Sequence, residues 1–392
     1  MINFLVLIVI LALSVVAKAE EIDFSASVGV EFREFFQSPR FETQATDINT
    51  SLVLEAELKW RSDDRSQRFS IVGFSRYDDQ DSERTHSDFR EFYWSFNYQN
   101  WTTTVGINKI FWGVTESANI VDVINQTDLV EDIDQEAKLG QPMIHFSNQQ
   151  DWGKLDLFIL PYFRERTFPG PGGRFSFGST IDDAVYESSS NAKNIDLTLR
   201  YSHYIGNVDV GIYAFEGTNR EPRLLPATDF NSLVPYYDQM TQIGIDLQYT
   251  IEAWLWKLES IYRRTKIDNF MAFVGGFEYT IFQINNAADL GLLLEYQYDN
   301  RNENSTITFA DNDIFLAARY VLNNSQDSSI LAGIVFDIQN NNRFVNIEGH
   351  HRIGENLIAE LRIRTLAGGG SDEASKVFNN DDYVQFSLKW YF

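Results

Sequence analysis

The segment Tyr383-Val384-Gln385-Phe386-Ser387-Leu388-Lys389-Trp390-Tyr391-Phe392 alternates strictly. Val384, Phe386, Leu388, Trp390 and Phe392 fall on one face, and Tyr383, Gln385, Ser387, Lys389 and Tyr391 on the other. A β-strand sends successive side chains to opposite faces, so this period predicts a strand that is greasy on one side and wet on the other. The pattern recurs along the chain. Leu52, Leu54, Ala56, Leu58 and Trp60 alternate with Val53, Glu55, Glu57 and Lys59. Leu155, Leu157, Ile159, Pro161 and Phe163 alternate with Lys154, Asp156, Phe158, Leu160 and Tyr162. Leu357, Ala359, Leu361 and Ile363 alternate with Ile358, Glu360, Arg362 and Arg364. Such runs reach about ten residues, the length with which a tilted strand crosses a bilayer. Strands of soluble proteins more often run about five or six.

Applied throughout, the period predicts strands near 23–37, 47–60, 66–77, 87–98, 100–111, 142–149, 152–163, 194–204, 207–217, 236–250, 253–266, 270–284, 288–300, 313–323, 329–338, 342–352, 356–366 and 383–392. That is about eighteen strands, or sixteen if one hairpin is lost. The connections after even-numbered strands are all short: 61–65, 99, 150–151, 205–206, 251–252, 285–287, 324–328 and 354–355. The long ones, 112–141, 164–193, 218–235, 301–312 and 367–382, follow odd-numbered strands. Long loops on one side and tight turns on the other describe an all-β, antiparallel, up-and-down transmembrane barrel. Trp60, Trp94, Tyr98, Trp101, Trp152, Trp254, Trp256, Trp390 and Phe392 cluster towards strand ends, where interfacial girdles place amphipathic rings.

Composition agrees. Aromatic residues make up 15% of the 392 residues, yet the mean hydropathy is only −0.27. Helical membrane proteins need spans of about 20 apolar residues, and the chain offers none beyond its N-terminal run. The absence of Cys removes disulfides, thiolate metal sites and Cys nucleophiles. A net charge of −24 argues against nucleic acid as a partner. Phe4 to Ala17 is apolar and is followed by Ala17-Lys18-Ala19, so residues 1–19 read as a secretory leader and 20–392 as the barrel.

The terminal segment, ending in Phe392 with outward residues at alternate positions, resembles the C-terminal assembly signal of Gram-negative outer-membrane proteins. The resemblance implies the outer membrane as location, the barrel-assembly machinery as partner of the last strand, and lipid and lipopolysaccharide as surroundings. The stretch Val105-Gly106-Ile107-Asn108-Lys109-Ile110-Phe111-Trp112-Gly113, continuing to Asn125-Gln126-Thr127-Asp128-Leu129, is similar to one in porin-like barrels, where a Trp-Gly and an Asn-x-x-Asp occur in like order. It supports the class and assigns no substrate.

The longest connection, 112–141, carries Glu116, Asp122, Asp128, Glu131, Asp132, Asp134 and Glu136 against Lys138, together with Ile120, Val121, Val123, Ile124, Leu129, Val130 and Ile133. Loops of this length are uncommon without a function, and this many aliphatics predict packing. The expectation is an inward-folded constriction loop, the alternative an outer cap. Its acids are the pore-constriction candidates. Arg68, Arg76, Arg164, Arg200, Arg319, Arg362 and Arg364 should point inward as a basic wall, either opposing the acidic loop across a transverse field or pairing with lumen acids. Arg164-Glu165-Arg166-Thr167-Phe168-Pro169-Gly170-Pro171-Gly172-Gly173-Arg174 is locally basic: Arg166 and Arg174 are anion-binding candidates, or the stretch is a stiff turn docked on the 112–141 loop. Gly368-Gly369-Gly370 reads as a loop rather than a phosphate cradle, since no helix follows. Glu131-Asp132-Ile133-Asp134 lacks EF-hand spacing, and His86, His145, His203, His350 and His351 are scattered, so no metal or other cofactor is implied. No hydrolase motif is present, and no enzyme is expected. The expected function is a passive channel for small hydrophilic or charged solutes. The rivals are a substrate-specific transporter or export channel and a non-conducting structural barrel. Oligomeric state is left open.

Overall fold

A computed structural model describes residues 22–392 apart from 46, 229–231, 286, 303, 307, 309–310, 340–341 and 368–377. The expected leader, 1–19, and the Gly368-Gly369-Gly370 stretch lie outside the described residues. The barrel strands are β1 (Ile22–Phe35), β2 (Ile48–Arg61), β3 (Gln67–Asp78), β4 (Ser87–Tyr98), β5 (Trp101–Asn108), β6 (Gln141–Gln150), β7 (Gly153–Leu160), β8 (Asp196–Ile205), β9 (Val208–Thr218), β10 (Gln239–Ile251), β11 (Trp254–Arg264), β12 (Asn269–Ile284), β13 (Ala288–Asp299), β14 (Asn312–Val321), β15 (Ser329–Asp337), β16 (Arg343–Ile353), β17 (Leu357–Ala367) and β18 (Tyr383–Tyr391). They form one 18-stranded antiparallel sheet. It closes where β18 pairs with β1, from Ser27 opposite Tyr391 to Phe35 opposite Tyr383. Closure leaves no unpaired edge, which is the condition for a sheet to stand in lipid.

Register carries the alternation around the wall. Leu292 lies opposite Ala318, Ala318 opposite Ala332, Ala332 opposite Ile347, and Ile347 opposite Ile363, a continuous outward apolar row. Outward side chains stay uncovered by protein, as Leu197 (47%) and Trp390 (52%) show. On the short-turn rim, Trp254 stacks on Trp256 at 5.7 Å and meets Phe277 at 5.1 Å. The Tyr201 hydroxyl there donates to the Trp152 carbonyl at 2.6 Å. Turns on this rim use left-handed residues, Gln99 (φ 53°), Gly206 (φ 63°) and Glu252 (φ 52°), as tight hairpins require.

Three boundaries differ from the expected ones by three residues. β7 ends at Leu160, not 163, because Pro161 has no N–H for the ladder. Phe163, expected to face outward, turns in and packs edge-on against Tyr237 at 4.8 Å. β5 ends at Asn108, not 111, so that Trp112 also turns in. The expected strand 236–250 is divided at Asp238, which accepts from Arg223 at 2.7 and 3.0 Å. Before it, Ser232–Tyr237 pairs with Arg223–Pro226, Thr180–Ile181 and Val185–Tyr186 in a small sheet built from two of the long loops. Elements of a few residues carry too little periodicity to be seen in sequence.

Candidate functional site

The connection between β5 and β6 folds back on itself. Its two stems pair, with Asp128 N–H donating to Ala137 and Leu139 N–H to Gln126, both at 2.8 Å. Asn125 staples the base: its amide donates to the carbonyls of Asn108 (3.0 Å) and Leu139 (2.8 Å), and its oxygen accepts from Ile110 N–H (2.8 Å). From this base the loop meets two further parts of the ring, near β11–β14 and near β17–β3, so that its attachments lie roughly a third of the circumference apart.

Against β6 to β12 the contact is apolar. Trp112, Val121, Val123 and Ile124 join inward Met143, Phe158, Tyr213, Phe215, Met240, Ile261 and Phe270 in one buried cluster. The Trp112 ring centroid lies 5.0 Å from Tyr213 and 5.6 Å from Phe158. Arg200 covers it at 4.6 Å. Burying such side chains contributes about 1.5–3 kcal/mol each, which ordinary salt does not screen.

At the middle of β11, Glu259 accepts the backbone N–H groups of Val114 (2.7 Å), Thr115 (3.1 Å) and Val121 (3.3 Å). On β13, Glu295 accepts those of Glu116 and Ser117, both at 2.8 Å. Glu116 reaches Arg319 at 2.6 Å, near the short-turn end of β14. Glu259 and Glu295 were not singled out from the sequence. Their signal was their parity: an acid in mid-strand, facing in, needs a partner from the lumen.

The far end of the loop is held by charge at the long-loop rim. The Arg76 guanidinium grips Glu131 through Nε and Nη2 at 3.0 and 2.7 Å and pairs with Glu31 at 2.5 Å. Asp132, almost fully buried, receives Arg364, Arg362 at 2.6 Å and the Tyr383 hydroxyl at 3.2 Å, with Arg33 at 3.9 Å. Burial alone would raise its carboxyl; Arg364, Arg362 and Arg33 outweigh burial and hold it below the usual carboxylate range. Asp134 takes a second nitrogen of Arg364 at 2.6 Å. Glu136 is exposed. The protein around it, with Asp134 and Glu348 nearby, pushes its carboxyl up to about 7 against Arg362 and Arg364.

The remaining candidates are also engaged. Asp122 is buried beside Lys138 at 3.5 Å. Asp128 takes Arg90 at 2.6 Å, His86 at 3.3 Å and the Thr167 hydroxyl at 2.6 Å. Arg200 pairs with Asp246 at 2.7 Å. Arg68, over the Tyr93 ring at 5.3 Å, makes no ion pair among the described residues. Arg164, beyond the end of β7, binds Asp88 of β4 (3.0 Å) and the Gly140 carbonyl (2.8 Å). Arg166 reaches Gln126 at 3.4 Å, and Arg174 is pinned to Asp381 at 2.9 Å. The Gly/Pro turn folds around Asp81, which accepts Gly170 N–H at 3.1 Å. A side chain at Gly170 or Gly173 would collide with that carboxylate. Glu116, Asp128, Glu131, Asp132 and Asp134 of the loop therefore do not face arginines across open water; they are bonded to them. Glu131, Asp132 and Asp134 are each taken by arginine.

Along the β6–β12 arc, beside the packed loop, inward side chains fill the space, and elsewhere inward charged side chains are exposed. Inward Phe215 and Ile261 on that arc are 0% and 3% exposed. Glu360 (53%), Glu55 (41%) and Arg319 (32%), outside it, keep accessible side chains.

Neither a family model nor a curated protein matches the sequence. Solved structures do. Wzi of Escherichia coli, an outer membrane protein involved in group 1 capsule assembly and a carbohydrate-binding β-barrel, shares 10% identity over 97% of this chain and 86% of its own, with a TM-score of 0.55. OccK11 (OpdR) of Pseudomonas aeruginosa shares 9% over 95% of each chain, with a TM-score of 0.53. OccK3 (OpdO) of the same organism shares 11% over 94% of this chain and 96% of its own, also at 0.53. Identities this low speak for the fold alone, a closed 18-stranded antiparallel β-barrel similar to those of these outer-membrane proteins.

Proposed function

We propose that this chain is a non-enzymatic outer-membrane channel for small hydrophilic solutes, with the 112–141 loop as its internal gate. One observation carries the reading. The loop packs its larger apolar cluster against the β6–β12 arc, while inward positions such as Glu55 on β2 and Glu360 on β17 keep charged, accessible side chains. A wall lined with charge and water suits solutes that carry their own hydration. The dense ion pairing at the outer rim supports one rival, a structural barrel that conducts nothing. Planar-bilayer recording of the refolded barrel separates the two. A channel gives discrete steps that grow or lengthen when residues 120–136 are deleted, and its reversal potential under a salt gradient reads ion preference. A folded barrel silent both with and without the deletion excludes the channel.

A further inference from the structure

We propose that the rim cluster centred on Arg364 is a receptor for multivalent anions bearing carboxylate or phosphate groups, and that Glu131 to Asp134 is a built-in pseudo-ligand occupying it. The opening that ligand would cause rests on the channel reading; the binding itself does not.

Stripped of the loop, the wall at this rim is basic. Arg33, Arg76, Arg84, Arg362 and Arg364 converge there, with Glu31, Asp78 and Glu348 as their acids outside the loop. Five guanidiniums against three carboxylates leave an excess of two positive charges, inside a barrel whose chain carries −24 overall. Guanidinium groups cannot shed that charge and bind carboxylate and phosphate oxygens in forks. The loop supplies what is missing: Glu131 to Arg76, Asp132 to Arg362 and Arg364, and Asp134 to Arg364. Its geometry is that of a bound polyacid. Three carboxylates within four consecutive residues are each met by a donor from the wall, and the buried Tyr383 hydroxyl is added to one of them.

The fit is not a resting one for the chain. Gln135, next to Asp134, is held in the left-handed region at φ 63°, and Glu136 brings a further acid towards Glu348. A soluble anion would meet the same guanidiniums with neither constraint. Competition then follows from mass action: a ligand that binds only the unlatched state shows an affinity reduced by the fraction of time the latch is shut.

Citrate and inorganic phosphate are the probes, with sucrose as the neutral control and ionic strength held by potassium chloride. Their binding to the refolded, detergent-solubilised barrel is measured by calorimetry, and their effect on open time in planar bilayers. The native barrel should bind citrate weakly. Asp132→Asn with Asp134→Asn, which disarms the pseudo-ligand, should tighten binding about 10-fold or more. Adding Arg364→Gln should remove binding, and Arg362→Gln is the substitute if that variant does not fold. Stronger binding of phosphate than of citrate, or the reverse, assigns the group recognised. The proposal is overturned if the double variant binds neither anion more tightly than the native barrel does, or if loss of Arg364 or Arg362 leaves binding intact. Tight, arginine-dependent binding to a barrel that never conducts upholds the receptor and removes the channel. Longer openings in the double variant without tighter anion binding uphold the gate and remove the receptor.

Discussion

The two ends of the 112–141 loop are held by opposite physics. Its first part, from Trp112 to Ile124, is packed among aromatic and aliphatic side chains and hung by backbone N–H groups on Glu259 and Glu295. Its second part, from Glu131 to Asp134, meets the wall through ion pairs, with Ile133 packed against the cluster of Phe35, Phe175 and Tyr383. Packing is lost only by taking apolar surface back into water, whereas a charge cluster can exchange partners. On the proposed reading the packed half stays fixed and the charged half releases, the arrangement a gate needs.

The largest expected effect separates these halves. Asp132→Ala leaves Arg33, Arg362 and Arg364 without their shared acceptor, and removing one partner of a buried pair costs about 3–5 kcal/mol. Amide exchange at 128–136 should rise by about 100-fold or more, while Val121 and Ile124 stay protected. Uniform exchange along the whole loop would show that the halves are one unit. Trp112→Ala is the mirror experiment, worth about 3–5 kcal/mol by lost packing and the cavity left behind. It should free residues 112–124 and leave the Asp132 amide protected. If it frees the far end instead, the charge latch has no independent strength.

A smaller effect tests the hanging point. Glu259→Gln keeps shape but replaces a charged acceptor by a neutral one, and hydrogen bonds to a charged group are worth about 1.5–3 kcal/mol. Exchange should quicken at the amides of Val114, Thr115 and Val121 and not at Glu131. Equal quickening at both places would contradict separate anchors. The smallest effect is that of pH. Glu136, with a carboxyl raised to about 7 in the folded barrel, is neutral in the latched loop at pH 6, where the unfolded chain would be ionised. Its contribution to stability is therefore greatest in acid and falls as pH rises through 7, when its charge meets those of Asp134 and Glu348. Arg362 and Arg364 oppose this, and the side chain is exposed, so openings should lengthen only several-fold between pH 6 and 8. Glu136→Gln should flatten that profile; an unchanged profile would place the titrating group elsewhere.

The sequence made the barrel legible because lipid imposes one rule on every strand. All eighteen strands appear near their expected places, and the errors fall where that rule stops applying, at Pro161, Asp238 and beyond Asn108. The loop was legible as a length and a composition, but not in its partners. Asp132 and Arg364 are distant in sequence, and periodicity has no reach across such a gap. Parity was nonetheless available for Arg33, Glu259 and Glu295, which face inward beside outward neighbours. A second unused signal was stronger. Tyr213-Ala214-Phe215 and Phe270-Met271-Ala272-Phe273 are apolar on both faces, and a strand with two apolar faces is buried on both. In a barrel this means that something apolar fills the lumen beside it, and those strands mark the arc where Trp112 and Ile124 lie.

The central claim is that charge at Asp132 shuts the loop against the wall of a conducting barrel. Its most direct test is single-channel recording of native and Asp132→Asn barrels in the same membrane and salt. The claim predicts steps of similar size in both, with open times at least about 10-fold longer in the variant, since the hydrogen bonds lost there involve charged groups. Identical open times in two folded, conducting barrels would contradict it and leave the rim cluster a structural brace.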